Sequence, residues 1–488
     1  MQATLTSQKR PVAMSVLMSF LLIAMGNLAL AQNATGALKG TVKDPQDALV
    51  TNAVAIAKNT ATGAARKLNA GSDGVFVFEN LQPGEYEVKV EAPGFSALIK
   101  TLTVQVGGTT ATDFELNIGA ASETVEVTGG APVINTTDTV VGGTIGRQSV
   151  ENLPLNGRSF LSIALLEPGV NVTYNGTSGA GNPNNYFQVS IGGAPQQMTL
   201  ISIDGSRVND RVTGGTSQNF SAETVQEFQI STLGFDLSSG TVSAGAVNVV
   251  SRTGSNAFHG GAFFFYRDHN MAAFSGLKRP NDPSAFNPIC LNPAACARLQ
   301  DPFFVRKQFG GTIGGPIKKD KLFFFVNYEH NHQVGANTVT FTDPALFGYN
   351  HVAQTPQNGD LFGARVDWTL SQKHTAFLRG NIDSNNGIAG AGLESRWIAS
   401  DNYAYQTQLG LTSVFRPSLV NDFRFSFSYF RNRLRQPTLA ECVELSGDPN
   451  LCFGIDGPQI TYFGGLVTGT NVNVSQDRHP RTFQWTDN

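Results

Sequence analysis

Few residues in this 488-residue chain are of types and spacings that suggest chemistry. Glu329-His330-Asn331-His332 offers two imidazoles and a carboxylate. At strand period His330 and His332 share a face, which is the geometry for a transition-metal site at a loop mouth. Polar residues at a strand end are more often simply solvated, so no metal is assigned and the two histidines stand only as a candidate pair. Asp204 and Asp210 flank a turn, and a structural Asx-turn is the expectation for Asp204-Gly205. Four cysteines form two local pairs, Cys290 with Cys296 and Cys442 with Cys452, with no C-x-x-C and no zinc spacing. Two short disulfide rings are expected, one containing Pro293 and the other Gly447 and Pro449. There is no Gly-Lys dipeptide, no H-E-x-x-H and no G-x-S-x-G. Neither an enzyme nor a cofactor is expected.

The elements that must position these residues read as strands. Phe423-Arg-Phe-Ser-Phe-Ser-Tyr429 alternates strictly, with Arg424, Ser426 and Ser428 opposite the aromatics. In 364–370, Arg365, Asp367 and Thr369 oppose Ala364, Val366, Trp368 and Leu370. In 376–383, Arg379, Asn381 and Asp383 oppose Ala376, Leu378 and Ile382. An arginine opposite a continuous apolar face is costly in a soluble sandwich core and natural where one face meets lipid and the other a wet lumen. Short connections at 318–320, 371–374 and 417–419 alternate with long ones at 269–303, 333–358, 385–403 and 433–480. Transmembrane barrels alternate periplasmic turns with extracellular loops in this way, and both cysteine pairs fall in long loops. Composition agrees: charged residues are 15% and Phe 34, while the net charge of −3 gives no basic face for nucleic acid.

Lys9-Arg10, an uncharged apolar run and Ala29-Leu30-Ala31 form a secretory signal over 1–31, so the chain is exported. Short strand-like runs between turn signals such as Asp73-Gly74 and Pro83-Gly84 then predict a β-sandwich of about seven strands over 32–119. Asp73-Gly-Val-Phe-Val-Phe78, Leu81-Gln-Pro-Gly-Glu-Tyr86 and Pro93-Gly-Phe95 resemble the carboxypeptidase regulatory-like domain, of the carbohydrate-binding-like fold. Gln46-Asp47-Ala48 departs from that family's Gly-containing turn, so the first hairpin is expected to differ.

In 120–253, Asn152-Leu-Pro-Leu-Asn-Gly-Arg-Ser-Phe160, Ile203-Asp-Gly205 and Val225-Gln-Glu-Phe-Gln-Ile230 resemble the plug domain of TonB-dependent outer-membrane receptors. Ala244-Gly-Ala-Val-Asn-Val-Val-Ser-Arg-Thr-Gly-Ser-Asn256 resembles the plug-to-barrel junction of their Oar-like branch. The resemblance singles out Asn156, Gly157, Arg158, Asp204 and Gly205 as plug-motif residues. It also suggests a TonB box at Glu123, Thr124, Val125, Glu126, Val127 and Thr128, between sandwich and plug. The same segment reads equally as the first plug strand, and sequence leaves both readings open.

The resulting fold expectation is all-β: a sandwich, a mixed α/β plug, and from 254 to 488 the first part of an antiparallel transmembrane barrel. About eight strands can be counted, whereas plugged lumens belong to barrels of ~22 strands; the chain is therefore expected to be an N-terminal portion of a longer receptor. The resemblance implies import of a scarce or large solute across a Gram-negative-type outer membrane. The sandwich would lie in the periplasm, and the partners would be the TonB complex, membrane lipid and an extracellular solute. The alternative is a surface protein whose sandwich binds glycan while the barrel only anchors.

Overall fold

The computed structural model describes residues 35–119, 124–127, 141–153, 156–174, 186–210, 212–233, 244–271, 304–339, 341, 343–416, 419–462, 465–472 and 474–488. The expected signal segment lies outside these residues.

The N-terminal sandwich has the expected seven strands: β1 (Gly36–Lys43), β2 (Val54–Asn59), β3 (Ala65–Asn69), β4 (Val75–Leu81), β5 (Gly84–Glu91), β6 (Ala97–Val104) and β7 (Thr109–Glu115). One sheet runs β4-β1-β7 and the other begins β3-β2-β5-β6. Alternate residues fill the space between them: Leu38, Val42, Ala55, Phe76, Phe78, Val88, Val90 and Phe114 are buried. Four of the sandwich's five aromatics (Phe76, Phe78, Tyr86 and Phe114) are buried and Phe95 is packed against the same core, so no exposed aromatic platform is left for a glycan. The Gly-less first turn is closed by the Asp44 carboxylate, which accepts from the amides of Gln46 and Ala48 at 2.9 Å each. Asp47 there takes a left-handed φ of 62°.

The plug comprises β9 (Val141–Gly146), the helix Arg147–Asn152, β10 (Val170–Tyr174), β11 (Phe187–Ile191), β12 (Thr199–Ile203), β13 (Ser206–Arg207), β14 (Val225–Leu233) and β15 (Gly245–Ser251). Its central sheet runs β13-β12-β15-β14-β9, with β12 and β15 parallel. Phe160, Leu161, Ile163, Val189, Ile203, Phe228 and Val247 form the core. Strand β9 lies at the sheet edge and has the sequence Val-Gly-Gly-Thr-Ile-Gly, so it buries little apolar area.

Eight long antiparallel strands follow: β16 (His259–Asp268), β17 (Val305–Lys318), β18 (Leu322–Val339), β19 (His351–Thr369), β20 (His374–Ala389), β21 (Ile398–Arg416), β22 (Leu419–Arg435) and, after the short β23 (Ile460–Thr461), β24 (Val467–Thr468) and β25 (Gln476–Arg478), β26 (Arg481–Asp487). Their faces are as the alternation predicts. Arg365, Asp367, Arg379, Asn381, Asp383, Arg424 and Ser426 are buried on the concave side, while Trp368, Leu378, Ile382 and Phe425 are exposed on the convex side. On the outer face of β18, Leu322, Phe324, Val326 and Tyr328 give way to His330 and His332. Ladder register aligns Tyr328, Phe362, Ile382, Tyr405 and Tyr429 in one row, the upper edge of an apolar band.

Short and long connections alternate as expected, but two long ones are much shorter than the sequence suggests. The expected loops 333–358 and 385–403 reduce to 340–350 and 390–397. Strands of up to 19 residues exceed the ~9–11 needed to cross a bilayer, and their polar outer halves continue the ladder beyond it. A polar composition that resembles loop is therefore strand. Above the strands the remaining loops pack a small core of Val339, Ala353, Leu393, Trp397, Leu445 and Leu451. The helix Leu439–Ser446 in this cap is closed by a Thr438/Glu441 capping box and ended by Gly447 with φ 72°. The expected disulfide between Cys442 and Cys452 is formed, with a Cα separation of 5.9 Å, and ties this helix to the following turn. The other expected ring, between Cys290 and Cys296, does not fall among the described residues: Cys290 and Cys296 both lie outside them.

Candidate functional site at the plug–barrel interface

The plug motifs singled out in the sequence sit where the plug meets the barrel wall. The turn between β12 and β13 places Asp204 and Gly205 in left-handed conformation, φ 48° and 78°. The expected Asx-turn is not found at Asp204. It forms instead at Asp210, whose Oδ1 accepts from the Val212 amide at 3.0 Å. Asp204 is 2% exposed and turns its carboxylate away from its own loop. It accepts from the Ser251 amide at 2.9 Å and the Ser251 hydroxyl at 2.7 Å. Two barrel arginines complete its shell, Arg379 at 3.0 Å and Arg365 at 3.3 Å. Isolated buried charges are too costly to persist, so the carboxylate and the guanidinium groups require one another.

The wall also grips the backbone of this turn. Arg424 and Gln408 donate to the Asp204 carbonyl at 2.6 and 2.7 Å. Ser206 donates to Ser426 at 2.7 Å, and Gln484 donates to the Gly205 carbonyl at 3.3 Å. Strands β19 to β22 and β26 thus converge on a few plug residues. A second contact is built on Asn156-Gly157-Arg158. Gln308 donates to the Gly157 carbonyl at 3.2 Å. Arg158 lies over the rings of Phe263 and Phe265 at 4.4 and 4.7 Å and pairs with Glu223 at 2.6 Å. Arg147 also pairs with Glu223, and Arg252 stands 3.5 Å from it. A third contact joins Asp383 of β20 to the Asn219 amide at 2.7 Å.

On the side of the short barrel turns the sandwich docks against plug and barrel. The Val106 amide donates to the buried carboxyl of Glu227 on β14 at 3.1 Å, and Val106 packs on Val250. Burial pushes the Glu227 carboxyl up to about 7, against the opposing effect of that hydrogen bond. Nearby, Asn256 donates to Asp320 of the β17–β18 turn at 2.8 Å, and its amide donates to the Ala61 carbonyl at 2.9 Å.

Of the segment suggested as a TonB box, Thr124–Val127 form a strand, β8, on neither the plug nor the barrel sheet, while Glu123 and Thr128 lie outside the described residues. It extends the sandwich, pairing in parallel with β6 from Ala97↔Thr124 to Lys100↔Val127. The reading of this segment as the first plug strand is therefore corrected: the plug sheet begins at β9.

The two histidines share a face, as their spacing requires, but Glu329 does not join them. His330 Nδ1 lies 2.9 Å from Asp360, and His332 Nδ1 lies 2.6 Å from Asn358, on the outer surface. Glu329 points inward and accepts from the Ser221 hydroxyl at 2.5 Å. No metal-binding group of three or more His, Cys, Asp or Glu occurs among the described residues.

Residues 250–350 and 343–488 match the family of outer membrane beta barrel domains, and residues 37–117 match the carboxypeptidase regulatory-like domain. The TonB-dependent transporter Oar of Myxococcus xanthus is 27% identical over 313 residues, 62% of this chain and 27% of that protein. The chain is a homologue of the TonB-dependent transporter Oar. With its barrel domain, that homology makes it a protein of the Gram-negative outer membrane. The siderophore receptor PirA of Acinetobacter baumannii is 23% identical over 59% of the chain and 36% of its own length. The chain thus spans about a third of the length of the curated relatives it matches, or less. Among solved structures, PirA aligns with a TM-score of 0.44 at 15% identity, covering 70% of this chain and 44% of PirA. The outer membrane transporter YddB of Escherichia coli aligns with a TM-score of 0.47 at 11% identity, covering 60% and 39%.

The sequence pointed to Asp204, Gly205, Gly157 and Arg158 but not to their partners. Arg365, Arg379 and Arg424 were recognised only as polar-face residues; Glu227 and Ser251 lay only within longer plug motifs, and Glu223 and Gln408 carried no signal. An arginine repeated on the lumen face of several strands is the signal that could have pointed to a buried acid on the plug.

Proposed function

We propose that this chain acts as an energy-coupled receptor, importing a scarce or large solute through the barrel by TonB-driven displacement of the plug. The observation that carries this reading is the seating of the Asp204–Gly205 turn against Arg365, Arg379 and Arg424. A plug held by several buried, mutually dependent polar contacts does not move aside by itself, so opening requires work from outside. Residues 123–128 supply the point where that work enters, as a strand captured by TonB through β-augmentation. The connection from there leads into β9, an edge strand that among the described residues pairs with β14 alone; its Gly142 and Gly143 have no side chain to bury. Pulling on 128–140 loads that weakest strand first.

The test uses the full chain in outer-membrane vesicles and the periplasmic domain of TonB. Capture of that domain is expected to fall at least ten-fold when residues 123–128 are deleted, while barrel assembly is unchanged. Undiminished capture by the deletion variant overturns the reading.

A further inference from the structure

We infer that the β6 edge of the sandwich is a binding site for residues 124–127, storing the TonB-coupling strand until TonB lifts it off; the role given to the strand rests on the function proposed above. The pairing is in register over four positions, Ala97↔Thr124, Leu98↔Val125, Ile99↔Glu126 and Lys100↔Val127. It turns a four-stranded sheet into a five-stranded one, with β8 outermost. Without β8, the edge of β6 would present unpaired amides and carbonyls, a template for any extended chain. The occupant that the structure places there is this chain's own segment.

Two features make this edge a store rather than an incidental contact. The sandwich is fixed at the barrel mouth, through Val106 to Glu227 and through Ala61 to Asn256, so its β6 edge keeps a constant position beside the plug. The stored strand is joined to β9 by only thirteen residues, 128–140, a reach of at most about 45 Å. Lifting β8 therefore separates four residue pairs and leaves the dock in place. Parallel pairing is slightly weaker per residue than antiparallel pairing, which suits a strand that must be released. TonB would compete with β6 for a strand already held extended.

The test is a cross-link in the full chain in outer-membrane vesicles. In the double variant Ile99→Cys with Glu126→Cys, neighbouring strands bring the two Cα atoms to about 5 Å, inside the range for a disulfide. Mild oxidation should join the tryptic peptides on either side of Lys100. The out-of-register pair Ile99→Cys with Thr124→Cys, about 8 Å apart, should join at least ten-fold less. Capture of the TonB periplasmic domain should fall at least ten-fold in the bridged protein and return on reduction. No preferential bridging of 99 with 126 overturns the dock, as does capture that is equal in the bridged and reduced states. Bridging with no capture even by the unmodified chain instead overturns the TonB-box reading and leaves the strand-binding edge standing.

Discussion

At Asp204 one buried carboxylate faces two guanidinium groups, and its neutral amide would leave Arg379 without a counter-charge. Arg365 keeps Asp367 at 2.8 Å, whereas Arg379 keeps only amide and carbonyl oxygens. Breaking a buried pair from one side costs about 3–5 kcal/mol. The Asp204→Asn variant is therefore expected to loosen the plug by that order, measured as faster hydrogen exchange in β12 and β15 with the barrel strands unaffected. Glu227 makes the opposite case, a carboxyl that the fold prefers neutral. Its folded pKa of about 7 lies above the ordinary 4.5. The dock it supports is strongest below pH 4.5, weakens as pH rises from there to 7, and is flat above. A shift of this size corresponds to about 3 kcal/mol. Glu227→Gln keeps an acceptor for the Val106 amide, so the pH dependence of dock stability between 4.5 and 7 should vanish. It is read from the difference in unfolding midpoint between the variant and the unchanged chain across that range, in which the titration of His351 cancels.

Strand faces set the energetics at the scale of the element. Adjacent residues of β20, Leu378 and Arg379, are 50% and 2% exposed, because successive side chains point to opposite sides of the sheet. Leu378→Arg places a charge among lipid tails and is expected to cost about 2–4 kcal/mol. The check is the denaturant midpoint of the protein in lipid vesicles, against Leu370→Arg as a comparison on the same face near the turn. An unchanged midpoint for Leu378→Arg would mean that the convex face is not the lipid face. The outer cap is stabilised by other means. There Glu394 is fully buried with His351 Nε2 2.5 Å away, and hydrogen bonding to Glu394 raises the imidazole pKa against the opposing effect of burial. That pair adds stability below the ordinary histidine range and loses it as pH climbs through the raised value.

For the whole molecule, an expected sidedness follows from connectivity. The plug precedes β16 and the sandwich docks through Ala61 on Asn256, which holds the turn at Asp320, so the short turns are expected to face the periplasm and the cap with Cys442 and Cys452 to face outward. A membrane-impermeant thiol reagent applied to intact cells after mild reduction should label Cys442 and Cys452. A cysteine introduced at Ser371, in a short turn, should react only after the outer membrane is permeabilised. The reverse pattern would invert the topology.

Sequence alone determined what depends on local period and on turn chemistry. Strict alternation through Phe423–Tyr429 and through 364–370 fixed which residues face lipid, since a one-residue slip would expose every arginine to it. The same alternation yielded eight barrel strands, and the glycine and proline turns marked a seven-stranded sandwich. Tertiary structure decided what depends on distant residues meeting. Asp204 and Arg379 are 175 positions apart, and nothing local to either predicts a shared buried charge site. The lengths of β18 and β19 were hidden because polar residues above the membrane form ladder bonds that composition does not reveal. The location of 124–127 was hidden for a related reason: an extended segment carries no mark of which sheet edge it will join. A backbone ladder accepts almost any sequence, and only the three-dimensional position of β6 selects this one.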